Sequence, residues 1–156
     1  MCKSVELGKH ILNYCIKHDH EVTPSKIQKL LYYMQAYFYV KNDENLFEEK
    51  ILAWNCGPAI HEVNAYFTKY MHENKGKYIT ANLFLSDEEM QVFKFVCEQK
   101  ASISTNELIE ITQKEKPWQQ TYNNGTGKNE IISNELLKDW FGGDELELER
   151  MDKECN

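Results

Sequence analysis

No apolar stretch in this sequence approaches the roughly 20 residues that a bilayer-spanning helix needs. The opening MCKSVELGKH also lacks the apolar centre of a secretion signal. A cytoplasmic location without membrane attachment is therefore expected. Paired cysteines are lacking too: the five (2, 15, 56, 97 and 155) are odd in number, scattered, and nowhere spaced as CxxC. That pattern argues against a disulfide framework and a zinc finger, and it fits a reducing compartment. Cys15 and Cys97 stand among apolar residues at helical steps and read as buried thiols. Proline and glycine are sparse, three and seven in 156 residues, so each one acts as punctuation rather than as part of a low-complexity tract. Basic residues are in deficit, 18 Lys and Arg against 25 Asp and Glu, and a net charge of −7 argues against coating nucleic acid through an overall field.

What is present suffices for one core. Hydrophobic residues make up 42% and charged residues 28%, the balance of an ordinary globular domain, and nine Tyr, seven Phe and three Trp add packing mass. The charge is unevenly placed. Residues 1–30 carry Lys3, Lys9, Lys17, Lys26 and Lys29 against three acids, whereas residues 144–156 carry six acids against Arg150 and Lys153. One domain over 1–143 and a flexible acidic tail over 144–156 are expected.

The periodicity predicts a mainly α, single compact helical domain of about six helices, with room for a small two- or three-stranded β element. Val5, Gly8, Ile11, Leu12, Cys15 and Ile16 mark a helix over about 3–17. Thr23-Pro24 is a hydroxyl cap followed by a first-turn proline, and Ile27, Leu30, Leu31, Met34, Tyr37 and Phe38 carry a second helix to about Val40. Tyr32, Tyr33 and Tyr39 widen its stripe, so this helix is expected to be buried on more than one side. Lys50–Trp54 and Tyr78–Thr80 read as short strands, and Gly57-Pro58 as a turn that opens a third helix to about Met71. Ser86-Asp87-Glu88-Glu89 and Ser104-Thr105-Asn106-Glu107 are capping boxes. Lys116-Pro117-Trp118 starts a short turn, and Ser133 caps a last helix over 134–141 that Gly142-Gly143 ends as a glycine cap.

Tests for chemistry return little. Cys56 near His61 and Cys15 near His18 lack a third orienting residue. His18-x-His20 and Cys56-x4-His61 fall short of the four-ligand pattern of a structural zinc site. Asn123–Asn129 (NNGTGKN) lacks the spacing of a phosphate-binding P-loop. No catalytic residue, metal ligand or cofactor site is assigned, and the residues alone point to an interaction module.

Four segments resemble one known family. Thr23–Ala36 (TPSKIQKLLYYMQA) resembles its opening T-P-x-K-L-Q-K-L-L-Y-Y-A-Q, and Leu46–Val63 (LFEEKILAWNCGPAIHEV) its centre L-F-x-E-x-I-x-A-W-x-x-G-P-V-x-x-x-V. Leu108–Thr112 with Glu115, Pro117 and Trp118 is similar to L-x-x-L-T-H-x-E-x-P-W, with Gln113 where a histidine is common. Cys56 stands where an aromatic is frequent, and Ile131 to Phe141 resembles the closing motif. The family is the SocA-like antitoxin domain, also called Panacea and formerly linked to phage-associated GepA proteins, and the resemblance spans about Val5 to Phe141. It implies a non-enzymatic antitoxin of a toxin–antitoxin system that binds and neutralises a cognate toxin protein by direct contact, with a proteolytic adaptor role toward an ATP-dependent protease as an extension. The rival expectation, from the basic N-terminal balance, is a DNA-binding regulator of its own operon; an accessory protein of a phage or mobile element is a further alternative.

Candidate partner-binding residues are Gln28, Lys29, Tyr32, Gln35, Trp54, Gly57, Pro58 and Trp118. The polar groups on so apolar a second helix need partners, either internal or on another protein. Trp54 reads as core and Gly57-Pro58 as a required turn. Trp118 reads as core or as an exposed anchor.

Overall fold

In the computed structural model, which describes residues 2–74 and 76–143, the helices are α1 Lys3–Lys17, α2 Pro24–Asn42, α3 His61–Glu73, α4 Asp87–Lys100, α5 Thr105–Gln113, α6 Lys116–Tyr122 and α7 Asn134–Phe141. A hairpin of β1 Leu52–Trp54 and β2 Gly57–Ala59 lies between α2 and α3, and a single 3-10 turn follows α6. The protein is mainly α, with seven α-helices among the described residues where about six were expected. The expected acidic tail over 144–156 lies outside the described residues.

Helix α2 is the axis of the molecule. Thr23 accepts the Lys26 N–H at 3.0 Å and Pro24 occupies the first turn, so the start is fixed by two local devices. Asp43, left-handed at φ 55°, ends it two residues beyond the expected Val40. Every residue from Lys26 to Phe38 is buried, because α1, α3, α4, α5, α7 and β2 all pack around it. A helix surrounded in this way needs apolar residues on every side, which explains the wide tyrosine stripe.

The hairpin pairs Leu52 with Ala59, Ala53 with Pro58 and Trp54 with Gly57. On its other side β1 is bound by the stretch before α7: Ala53 N–H donates to Glu130 O at 2.9 Å, Asn129 N–H to Ala53 O at 2.9 Å and Ile132 N–H to Ile51 O at 2.8 Å. Pro58 therefore does not open a helix, as the sequence suggested. It sits in β2, where a missing N–H is tolerated at a sheet edge, and α3 begins three residues later.

The other expected strand, Tyr78–Thr80, pairs with no strand. The Asn13 side chain takes both backbone groups of Ile79, donating to its O at 2.7 Å and accepting from its N–H at 2.9 Å. Glu6 accepts from Asn82 N–H at 2.9 Å and the His10 ring meets Leu83 O at 2.8 Å. Positions 6, 10 and 13 lie along one face of α1, so polar side chains of a helix, rather than a strand, hold this extended segment. Gly142 keeps right-handed angles (φ −68°), so α7 ends without the left-handed glycine cap expected. The Ser86–Glu89 capping box is complete. At α5 only half of the expected box forms: Ser104 accepts the Glu107 N–H, and Glu21 rather than Glu107 supplies a carboxylate to the first turn, taking the Thr105 N–H at 3.0 Å.

Where α1 crosses α3, Gly8 allows contact that no side chain would: a Cβ there would lie 2.6 Å from a Phe67 ring carbon and 3.1 Å from Ile27 Cγ2. Gly8→Val is expected to lower the unfolding free energy by about 1–3 kcal/mol through overpacking, read from the urea midpoint at unchanged slope.

Candidate partner-binding site

The polar residues of α2 occupy the inside of the fold. Gln28 donates to Asn64 Oδ1 and to Pro24 O, each at 3.0 Å, and its own carbonyl accepts the Ile60 N–H at 3.0 Å. Ile60 is the residue ahead of α3 and has no side-chain cap of its own, so Gln28 serves the entry of that helix. Gln35 performs the matching task on the β1 approach, accepting from Leu46 N–H at 2.8 Å and Phe47 N–H at 3.3 Å while donating to Phe47 O at 2.9 Å. The Tyr32 and Tyr33 hydroxyls donate to the two carboxylate oxygens of Glu115 at 3.0 Å each, which fixes the start of α6. Burial pushes the Glu115 carboxyl up to about 7 against the pull of those hydroxyls.

Lys29 lies under the hairpin, 2% exposed, and its ammonium donates to Ser25 Oγ at 3.0 Å. Gly57 crosses directly above it at φ +103°, where a Cβ would meet Thr112 Oγ1 at 2.8 Å and Lys29 Cε at 3.2 Å. The glycine supplies both the left-handed angle and the clearance. Gln28, Lys29, Tyr32 and Gln35 thus find their partners internally, and Gly57 and Pro58 are buried with them.

Trp54 and Trp118 stay half-buried at the surface, at a braced prominence. The hairpin tip is Asn55-Cys56, both exposed. Trp118 Nε1 donates to Trp54 O at 2.8 Å, Gln113 Nε2 to Asn55 O at 2.9 Å, and Tyr122 OH to Asn55 Oδ1 at 3.0 Å. The Trp118 and Tyr122 rings stack with centroids 4.5 Å apart and 15° between planes. They line a shallow cleft of about 320 Å³ with Gln119, Asn123 and Asn124. The Trp54 ring stands edge-on to His61, centroids 6.4 Å apart, and its indole N–H is buried without an acceptor among the described residues. Sequence reasoning missed Asn55 and Tyr122, for which no local signal exists. Gln113 did carry a signal, as a departure from the motif, and its role proves to be bracing the tip.

Residues 27–119 match the family model described as Antitoxin SocA-like, Panacea domain. The chain belongs to this family. The matched stretch takes in all eight candidate residues, and membership points to an antitoxin role. No curated protein and no solved structure matches the chain.

Within this Panacea domain, the basic N-terminal balance does not form an open cationic face. Lys3 pairs with Glu89 and Lys9 with Glu6, Lys26 is buried with its ammonium on Ala101 O at 2.8 Å, Lys29 is buried as described, and Lys17 alone of the five stands exposed. Among the described residues no group of three or more His, Cys, Asp or Glu is placed to hold a metal, and no helix is long and apolar enough to cross a membrane.

Burial pushes the Lys29 ammonium down to about 8 from the ordinary 10.5. Below about 8 the residue is charged in both folded and unfolded chains, so its burial penalty is felt in full. Between about 8 and 10.5 the folded chain has lost the proton that the unfolded chain keeps, and the penalty fades as pH rises. Lys29→Met is expected to raise stability by about 1–3 kcal/mol at pH 7. Denaturant titrations of both proteins across the pH range check this, since the gain should shrink steadily above pH 8.

Proposed function

We propose that this chain neutralises a cognate toxin by seating it on the hairpin tip and the start of α6, masking the toxin's working surface. One observation carries the reading: the stacked Trp118 and Tyr122 rings are hydrogen-bonded to the hairpin tip and left partly open to solvent. Aromatic side chains that lose little freedom on binding dominate many protein interfaces. Hydrogen bonds from Trp118, Gln113 and Tyr122 to the hairpin limit the freedom that docking would remove. The exposed Asn55 adds a polar group at the same place.

In this reading the eight candidate residues divide by role. Trp54 and Trp118 touch the toxin, and Gly57 and Pro58 shape the tip. Gln28, Lys29, Tyr32 and Gln35 set the position of the prominence from within the core. An antitoxin of this kind acts by occlusion and needs no bond-making chemistry.

The test is co-expression with the product of the neighbouring gene, followed by affinity measurement on the purified pair. Trp118→Ala and Asn55→Arg are expected to weaken the complex by roughly tenfold or more and to abolish growth rescue. Phe84→Ser, on the segment along α1 where Phe84 is 97% exposed, should leave both intact. Full rescue by well-folded Trp118→Ala and Asn55→Arg proteins would overturn the proposed surface.

A further inference from the structure

A second cavity, separate from the hairpin tip, opens between α2, the end of α4, the start of α6 and α7. Its volume is about 370 Å³, and Tyr33, Tyr37, Lys100, Glu115, Trp140 and Phe141 line it. That size falls at the lower end of the range for small-ligand pockets, and its exposed lining is more polar than apolar although three aromatic rings back it.

The walls are pre-organised. Phe141 stands edge-on to Tyr33 at 5.7 Å and 88°, and to Tyr37 at 5.2 Å and 67°. All three rings are buried, while the Trp140 indole is 40% exposed and within reach of an incoming group. Lys100, the last residue of α4, holds its ammonium 4.4 Å from the Tyr33 ring centroid. Among the described residues it has no hydrogen-bond acceptor and no ion pair, an unusual state for a half-buried ammonium with three protons to donate. Glu115 faces the same space with both oxygens already engaged by Tyr32 and Tyr33. With its carboxyl pushed up to about 7, it is only partly ionised at neutral pH. Among the described residues Lys100 is the one cation lining the cavity, with Glu115 its partly ionised acid, and its three ammonium protons suit an anion.

We propose that this cavity binds a compact carboxylate carrying an apolar or aromatic body, with the carboxylate on Lys100 and the body against Trp140, Tyr37 and Phe141. The same chemistry exists in a free aromatic acid and at the C-terminus of a polypeptide. This inference does not depend on the proposed toxin surface.

The experiment uses the full chain labelled with nitrogen-15 and follows the indole N–H signal of Trp140, assigned by its loss in Trp140→Phe. The probes are 3-phenylpropionate, its neutral amide, and an N-acetylated hexapeptide ending in phenylalanine. The acid is expected to shift that signal saturably and the amide at least about tenfold more weakly, because the charged contact is lost. Lys100→Met should weaken the acid by a similar factor, while Lys100→Arg, which keeps the charge, should retain binding. Tighter binding of the hexapeptide identifies a polypeptide end as the natural ligand, and equal or weaker binding identifies a free acid. No shift with acid or hexapeptide up to about 10 mM, the weak limit for so small a ligand, overturns the proposal. Equal binding of acid and amide overturns it as well.

Discussion

Burying α2 on every side sets the terms for the rest of the molecule. A helix enclosed by five others and a strand leaves its polar side chains no access to water, and each unmet donor or acceptor there would cost about 1–3 kcal/mol. The groups that meet them are backbone amides and carbonyls of neighbouring segments and a few polar side chains. Gln28 takes the N–H ahead of α3, and Gln35 takes the two N–H groups that lead toward β1. Tyr32 and Tyr33 hold the carboxylate at the start of α6. Exchange of this kind ties folding to positioning, because the hydrogen bonds that make α2 tolerable inside also place the hairpin and α6.

The candidate site follows from that arrangement. The hairpin is too short to be stable alone. It is held by the stretch before α7 on one edge and by α5 and α6 through Gln113, Trp118 and Tyr122, with the α2 lysine packed beneath Gly57. Its tip, two exposed residues, is hydrogen-bonded from α5 and α6 through Asn55. A binding surface built this way gives up little conformational freedom on contact, which favours tight capture by a small protein. The buried Lys29 works in the opposite direction, since it weakens the fold at neutral pH, and its place under the turn fits a role in shaping the tip more than in stability.

Much of the fold was legible because it rests on local signals. Thr23-Pro24, the Ser86–Glu89 box and Ser133 each mark a helix start where the structure has one. The excess of apolar residues around α2 announced its burial. The failures share one cause, which is that backbone partners came from far along the chain. Tyr78–Thr80 has the look of a strand, but its partner is the Asn13 side chain, 66 positions away at Ile79. Pro58 has the look of a helix start, but pairing with Ala53 holds it in an extended strand. The destination of the α2 polar groups was likewise open, since a glutamine facing Ile60 and a glutamine facing a partner protein give the same local pattern. Asn55 and Tyr122 were invisible for a further reason: a bond between an exposed loop amide and a tyrosine hydroxyl leaves no periodicity to read.

In the proposed mode of action α2 builds the binding surface from inside while the hairpin tip and α6 make the contact. Amide hydrogen exchange of the free chain and of its complex with the neighbouring gene's product tests this most directly. The account predicts slower exchange on binding at residues 54–57 and 118–125, with the α2 amides slow and unchanged in both states. Protection confined to α1 and the segment over 78–85, or α2 amides that exchange rapidly until the partner binds, would contradict it.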